Sequence, residues 1–285
     1  MPYIMEKIML FENEQLQHCD LVVKNNVIYS RDVPVRQMKF IRLNMDKHII
    51  MATGSVFGNI DQWRTEGIEY AKRMVLMGAT TIVFPVDVQS DQKLKVNFQK
   101  AREELASFPL DFVLVIRIPF AALKPKLIRM CRLLHIPVCV VMMNGQEKFR
   151  EVMWKEIKEA VFPYKLVFVP QCEEGMNLNE WKNCMDDGLI SLHERFPTEA
   201  AYLSKSLLKK IGIYPHKGIL RSGGDVTYNV MKESNKDYLM NEDLTYYDKI
   251  DYTVFKNKVI RVGQEVDFTK TAGEELVIKV PGFFL

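Results

Sequence analysis

The sequence predicts an α/β protein in which a parallel-sheet body is flanked by a small β-domain drawn from both ends of the chain. Three observations carry this. Short apolar runs alternate with helix-length amphipathic segments from Ile49 to Val169, the rhythm of β-α-β units. One of those runs, Thr80 to Val86 (TTIVFPV), is apolar almost throughout, as a strand covered on both faces requires. Residues 1–48 and 213–285 instead read as short strands broken by Gly, Asn and Asp.

Composition bounds the function before any motif does. With 285 residues, 48% hydrophobic and 26% charged, the chain has the make-up of a soluble globular protein that buries a sizeable core. No run approaches ~18 apolar residues, and the N-terminus (MPYIMEKIMLFENEQ) carries acids where a signal peptide needs a basic flank. A cytoplasmic protein with no membrane partner is expected. The net charge of +3 comes from 39 bases interleaved with 36 acids, which argues against a nucleic-acid partner. Cys19, Cys131, Cys139, Cys172 and Cys184 are odd in number and widely spaced, the pattern of reduced thiols. Cys131 and Cys139 fall where a small hydrophobe fits a core.

Taken in order, Leu21 to Val23, Val27 to Tyr29 after an Asn25-Asn26 turn, and Met38 to Leu43 are the first strands. Ile49 to Ala52 follows, then a helix from Asp61 to Met77 ended by Gly78. Thr80 to Val86 precedes a helix from Ser90 to Ser107. Phe112 to Ile118, a helix from Leu123 to Leu134, Ile136 to Met143, a helix from Gln146 to Val161 and Leu166 to Val169 continue the rhythm. After Pro170 it fails, and residues 171–197 are polar and turn-rich. One more helix, Thr198 to Ile211, is bracketed by Pro197 and Gly212. Gly218 to Ser222, Thr227 to Val230, Tyr252 to Phe255, Val259 to Val262 and Leu276 to Val280 are the closing strands, with Phe283 and Phe284 expected to pack on the β-domain.

Four stretches then carry a family resemblance. Ile211 to Val230 (IGIYPHKGILRSGGDVTYNV) resembles the end of the dihydropyrimidinase and dihydroorotase group of amidohydrolases, where a helix leads into a Gly-Leu-Tyr-Pro-x-Lys-Gly turn and then Gly-Ser-Asp-Ala-Asp. Gly212, Tyr214, Pro215, Lys217, Gly218, Gly223 and Asp225 match, while Val226 and Thr227 stand where Ala-Asp is expected. Leu21 to Ile28 is similar to the group's N-terminal hairpin, Met77 to Val83 to its second barrel strand and Asp111 to Ile118 to its third. The resemblance implies a shortened or incomplete TIM-type β/α barrel over residues 49–212, with a small β-sandwich built from residues 1–48 and 213–285.

The resemblance also implies metal ligands that this chain lacks. Such hydrolases open the first barrel strand with an Asp-x-His-x-His sequence, since neutral imidazoles on one side of a strand hold a divalent metal well. Here Phe57 stands at the aspartate, and Asn59 and Asp61 stand at the two histidines. Val140 falls at the bridging lysine of strand four, and Pro170 ends strand five where a histidine belongs. His18, His48, His135, His193 and His216 do not cluster along the chain, and only His193 falls in the irregular stretch. Residues 49–212 also leave about 160 residues for a barrel that takes roughly 250.

The expectation is therefore a catalytically silent amidohydrolase-like protein, a pseudoenzyme that serves as a binding or assembly scaffold, with no cofactor. Uncovered strand edges and apolar inner faces are sticky, so residues 171–197, a second copy giving a homo-oligomer, or a protein partner is expected to cover the truncated barrel. The alternative is a zinc-dependent hydrolase of a cyclic amide, or a small-molecule binding protein. Its pocket would gather Asn59, Asp61, Asp87, Arg117, Asn144, Gln171 and Glu173 at the strand ends. The plainer account of the charged members is that Asp61 or Asp87 pairs with Arg117 or is solvated. Ser222-Gly223-Gly224 is too short for a phosphate loop.

Overall fold

The structure, a computed structural model, describes residues 1–31, 38–172, 178–185, 191–192, 202–240, 246–269 and 271–281. The chain opens with strands β1 (Tyr3–Glu12), β2 (Gln15–Lys24), β3 (Val27–Arg31), β4 (Ile41–Asn44), β5 (His48–Ala52) and β6 (Gly54–Phe57). Helices α1 (Ile60–Glu66) and α2 (Ile68–Leu76) lead to β7 (Ala79–Asp87), α3 (Asp91–Glu104), β8 (Asp111–Pro119), α4 (Pro125–Leu133) and β9 (Val138–Met142). Then come α5 (Trp154–Val161), β10 (Val167–Gln171), α6 (Asn179–Met185), β11 (Ser191–Leu192) and α7 (Lys205–Ile211). The remainder is β12 (Tyr228–Lys232), α8 (Asp237–Met240), β13 (Ile250–Phe255), β14 (Lys258–Val262) and β15 (Glu265–Val266).

Two compact units divide these elements. The first holds Met1–Ser55, Gly67–Thr81 and Pro215–Gly273; the second holds Val56–Glu66, Ile82–Tyr214 and Glu274–Leu285. In the first, one nine-stranded sheet runs β15-β14-β13-β12-β5-β1-β2-β3, with β4 on β1. Period-two alternation, interrupted by a register shift between Met5 and Ile8, sends Met5, Ile8, Leu10, Leu21, Val23, Ile50, Tyr228, Val230 and Val254 into one buried cluster. Ile49, Met51 and Met231 go to another. β5, read from the sequence as the opening strand of the parallel run, belongs to this sheet, because it pairs with β1 and β12.

The same unit contains a buried guanidinium. Arg261 on β14 is 1% exposed and donates through Nη1 to the carbonyls of Val75 (3.3 Å) and Leu76 (2.9 Å). Its Nε donates to Gly263 O (2.7 Å) and its Nη2 to Tyr247 O (3.2 Å). A helix leaves its last carbonyls without intrahelical donors, and here a cation supplies them for α2 while opposing the negative end of its dipole.

The second sheet, order β11-β10-β9-β8-β7-β6, is parallel where β8, β9, β10 and β11 pair. It is a curled half-barrel. Among the described residues β6 and β11 are its two ends, so the sheet does not close; the β6 end meets Tyr202 in a single bridge to Val56. β7 and β8 are buried on both faces along most of their length, as the sequence run implied. On one face lie Leu94, Phe98 and Ala101 of α3, with Leu127, Ile128 and Cys131 of α4 also buried. The opposite, inner face gathers Phe57, Val83, Val113, Val115, Val138, Val140, Val167 and Val169.

That inner face is covered from within the chain. Leu207, Leu208 and Ile211 of α7, together with Ile213 and Ile278, join the same buried cluster. Ser204 caps α7, its Oγ accepting from Leu207 N at 3.2 Å, and Gly212 ends it with φ 89°. The segment from Glu274 onward forms a strap. Glu274 N donates to Asp111 Oδ1 (3.0 Å), Arg102 grips Glu275 through Nε (2.8 Å) and Nη2 (2.9 Å), and the Tyr164 hydroxyl donates to Ile278 O (2.7 Å). A Cβ on Gly212 would fall 2.9 Å from Ile278 Cγ2 and 3.1 Å from Pro281 Cα.

Several sequence expectations change. The helix expected from Asp61 to Met77 is two, because Gly67 takes φ 55° between them. The helix expected from Gln146 is confined to α5, after a 3-10 turn at Phe149–Glu151. α6 and β11 extend the β-α rhythm into a stretch read as irregular. The described part of the helix expected from Thr198 begins only at Lys205. Gly218 to Ser222 is a turn, and Leu276 to Val280 lies in the strap, against the parallel sheet's core. Phe283 and Phe284 lie outside the described residues.

Candidate functional site

The C-terminal ends of the parallel strands open onto a cleft of 520 Å³ within the second unit. β6 delivers Phe57, Gly58 and Asn59 to it, β7 delivers Pro85, Val86 and Asp87, β8 delivers Arg117, and β10 delivers Pro170, Gln171 and Cys172. α1 adds Asp61 and Arg64, and α3 adds Asn97, Lys100 and Glu104. Of the residues expected from sequence, Asn59, Asp61, Asp87, Arg117 and Gln171 therefore meet in one place. Asn144 does not. Its side chain accepts from Gln146 N (3.1 Å) in a turn closed by Glu147, and it lines a separate cleft of 680 Å³ with Phe120, Met142, Met143 and Met153. Glu173 and His193 lie outside the described residues.

Local chemistry occupies the expected charged groups and Asn59. Asn59 Oδ1 accepts from Asp61 N (2.9 Å) and Gln62 N (3.4 Å), so the amide is spent capping α1. Asp61 accepts from Arg64 Nη1 at 2.6 Å, and Arg64 Nη2 reaches Glu104 Oε2 at 2.8 Å. Glu104 first, and Asp61 with it, push the Arg64 guanidinium above its ordinary value. Arg117 holds Asp87 through two parallel contacts, Nε to Oδ1 (2.5 Å) and Nη2 to Oδ2 (2.7 Å). Asn97 Nδ2 donates to Asp87 O at 2.7 Å. Three acids and three bases thus line the cleft, interleaved. Gln171 Oε1 is buried with no hydrogen-bond partner among the described residues.

Sequence reasoning missed Arg64, Asn97, Lys100 and Glu104. A signal existed. Asn97, Lys100 and Glu104 recur at helical spacing, which places them on one face of α3, and Asp61 and Arg64 are an i, i+3 pair.

The residues at the metal-ligand positions suit zinc poorly. Phe57 is 1% exposed and Val140 is fully buried, both inside the apolar cluster that α7 closes. Asn59 caps a helix, Asp61 is held by Arg64, and Pro170 has no donor atom in its side chain. Among the described residues no three His, Cys, Asp or Glu side chains come together as ligands. His135 instead meets Tyr164 edge-on at 5.8 Å, and His48 Nδ1 bonds Asp46 O at 2.9 Å.

No family model and no curated protein sequence matches the chain. Solved structures do. A D-hydantoinase structure superposes with a TM-score of 0.65 at 10% identity, covering 99% of this chain and 100% of that one. The dihydropyrimidinase from Brevibacillus agri gives 0.60 at 8% identity, covering 99% of each chain. The L-hydantoinase from Arthrobacter aurescens gives 0.57 at 11%, covering 96% of this chain and 99% of that one. The chain has an amidohydrolase-type fold. At these identities the likeness concerns architecture, and of the residues at the metal-ligand positions Asp61 alone is charged and is paired with Arg64. No helix among the described residues is long and apolar enough to cross a membrane.

Proposed function

We propose that the chain is a shortened amidohydrolase-type barrel with a terminal β-sandwich that has given up hydrolysis and acts as a cytoplasmic binding or assembly scaffold. One observation carries this reading. Phe57 and Val140, at the positions of a metal-binding aspartate and a bridging lysine, are packed with Leu207 and Ile211 into a single apolar core. A metal-bound hydroxide needs a polar, hydrated first shell, and burying one there would leave charge unpaired in an apolar cluster.

The test is elemental analysis of protein grown with added zinc, paired with turnover of dihydrouracil and hydantoin. Substoichiometric zinc and hydrolysis at the buffer background are expected. Zinc at one or two equivalents with turnover above background would return the chain to the hydrolases.

A second reading, a small-molecule pocket, is favoured by Gln171. A buried amide oxygen without a donor is costly, and a ligand N–H or O–H in the cleft would satisfy it. Ligand screening by thermal shift, with Gln171→Leu as the comparison, tests this; a stabilising compound whose effect survives the substitution counts against it.

A further inference from the structure

The 680 Å³ cleft beside Asn144 differs in kind from the cleft at Arg117. Pro119, the last residue of β8, pairs directly with Met142, the last of β9. Beyond this pair the two segments diverge. One enters a 3-10 turn at Phe120–Ala122 before Pro125 opens α4. The other runs through the turn that Glu147 closes on Asn144 and Gly145. Loops that follow parallel strands at their C-terminal ends are where this architecture builds its pockets.

The walls are mostly apolar. Leu123 and Met143 are buried, Phe120 and Met142 are half-buried, and Met153 is 52% exposed. Phe120 stands edge-on to Phe149 at 5.0 Å, and Phe149 stacks on Trp154, whose Nε1 donates to Phe149 O at 2.7 Å. That part of the wall is fixed before anything binds, which lowers the cost of binding. The methionines are flexible and polarisable, and adapt to an apolar body of varied outline.

Four charged residues line the cleft, and three are engaged. The two oxygens of Glu147 accept from the backbone N–H groups of Asn144 and Gly145. Lys148 and Glu151 pair with each other at 3.0 Å. Arg150, in the same turn, is exposed and outside the lining. Lys124 is left as the lining charge whose side chain has no ion pair or hydrogen bond among the described residues.

We propose that this cleft binds a small monocarboxylate with a long apolar body, the body against Phe120, Leu123 and the methionines and the carboxylate at the Lys124 ammonium. One unengaged positive charge matches one negative charge. A dianionic head such as a phosphate monoester would bring a second negative charge with no counterpart into a cleft that also holds Glu147 and Glu151, and like charges repel. A cationic head would find both carboxylates already taken. The volume falls within the roughly 300–1,000 Å³ of small-ligand sites. The proposal rests on neither the scaffold reading nor the Gln171 reading, since no residue lines both clefts.

Isothermal titration of the full chain with octanoate tests it, with octanol, octylamine and acetate as comparison probes, each kept below the concentration at which it self-associates. Saturable one-to-one binding of octanoate is expected, with octanol and acetate weaker and octylamine undetected. Lys124→Gln, at an exposed position, weakens octanoate about two- to fivefold, the range of an exposed ion pair, and leaves octanol unchanged. Met153→Asp, also exposed, weakens octanoate and octanol together, and unchanged circular dichroism shows that both variants are folded. Gln171→Leu, in the other cleft, changes neither. Octanoate that binds no tighter than octanol or acetate, that is indifferent to Lys124→Gln or to Met153→Asp, or that loses its site on Gln171→Leu would overturn the proposal. So would tighter binding of octylamine, or no saturable binding at all.

Discussion

Arg117 and Asp87, at the ends of neighbouring strands, face each other as a two-pronged ion pair with contacts of 2.5 and 2.7 Å. The pair is partly open to water, the side chains being 30% and 50% exposed, so screening limits its contribution. A double-mutant cycle of Arg117→Ala and Asp87→Ala, read by urea denaturation, should give a coupling of about 0.5–1 kcal/mol. A value several times larger would mean that the cleft excludes water more thoroughly than these exposures allow.

Arg261 should behave very differently. Replacing it with Met keeps the stem but strips the Val75, Leu76, Gly263 and Tyr247 carbonyls of their shared donor. A loss of about 3–5 kcal/mol is expected in denaturant unfolding, with Arg261→Lys intermediate, because one ammonium cannot match the spread of a guanidinium.

Gly212→Ala places a methyl against Ile278 and Pro281 at a backbone angle that favours glycine. A cost of about 1–3 kcal/mol follows from the overpacking and the left-handed geometry together. Proteolysis should then cut first within residues 274–281, ahead of α3 or α4.

Alkaline pH should destabilise the protein in a defined window. Burial pushes the Cys131 thiol from 9.0 up to about 12 and the Tyr3 phenol from 10.0 up to about 12. Groups raised in the folded state contribute stability that is whole below their unfolded values and is lost as pH climbs toward the folded ones. The urea midpoint should hold to about pH 9 and fall between pH 9 and 12. Cys131→Ala should remove the part of that slope that begins at pH 9.

What the sequence displayed was decided by burial. β7, β8, β9 and β10 were legible because both faces are covered, so their composition is apolar without interruption. β1 was not. Its pairing with β2 shifts register between Met5 and Ile8, with Lys7 at φ 57°, and that bulge breaks the period-two pattern along YIMEKIMLFE. β11 is two residues long and carries no pattern at all. At the cleft, positions that follow from strand ends (Asn59, Asp87, Arg117, Gln171) could be named in advance. Helical spacing set Arg64 beside Asp61 and Glu104 on a face with Asn97 and Lys100, but that Arg64 reaches Glu104 depends on how α1 sits against α3, a tertiary fact.

The strap also orders events in time. The inner face of the half-barrel is assembled from strands complete by Val169, yet Ile278, which helps seal it, is made only after β12 to β15. During synthesis those valines have α7 and Ile213 over them but still lack Ile278. Chains interrupted before Glu274 should therefore be found in aggregates, with the parallel sheet present but unsealed, which sets a quality-control demand on this fold.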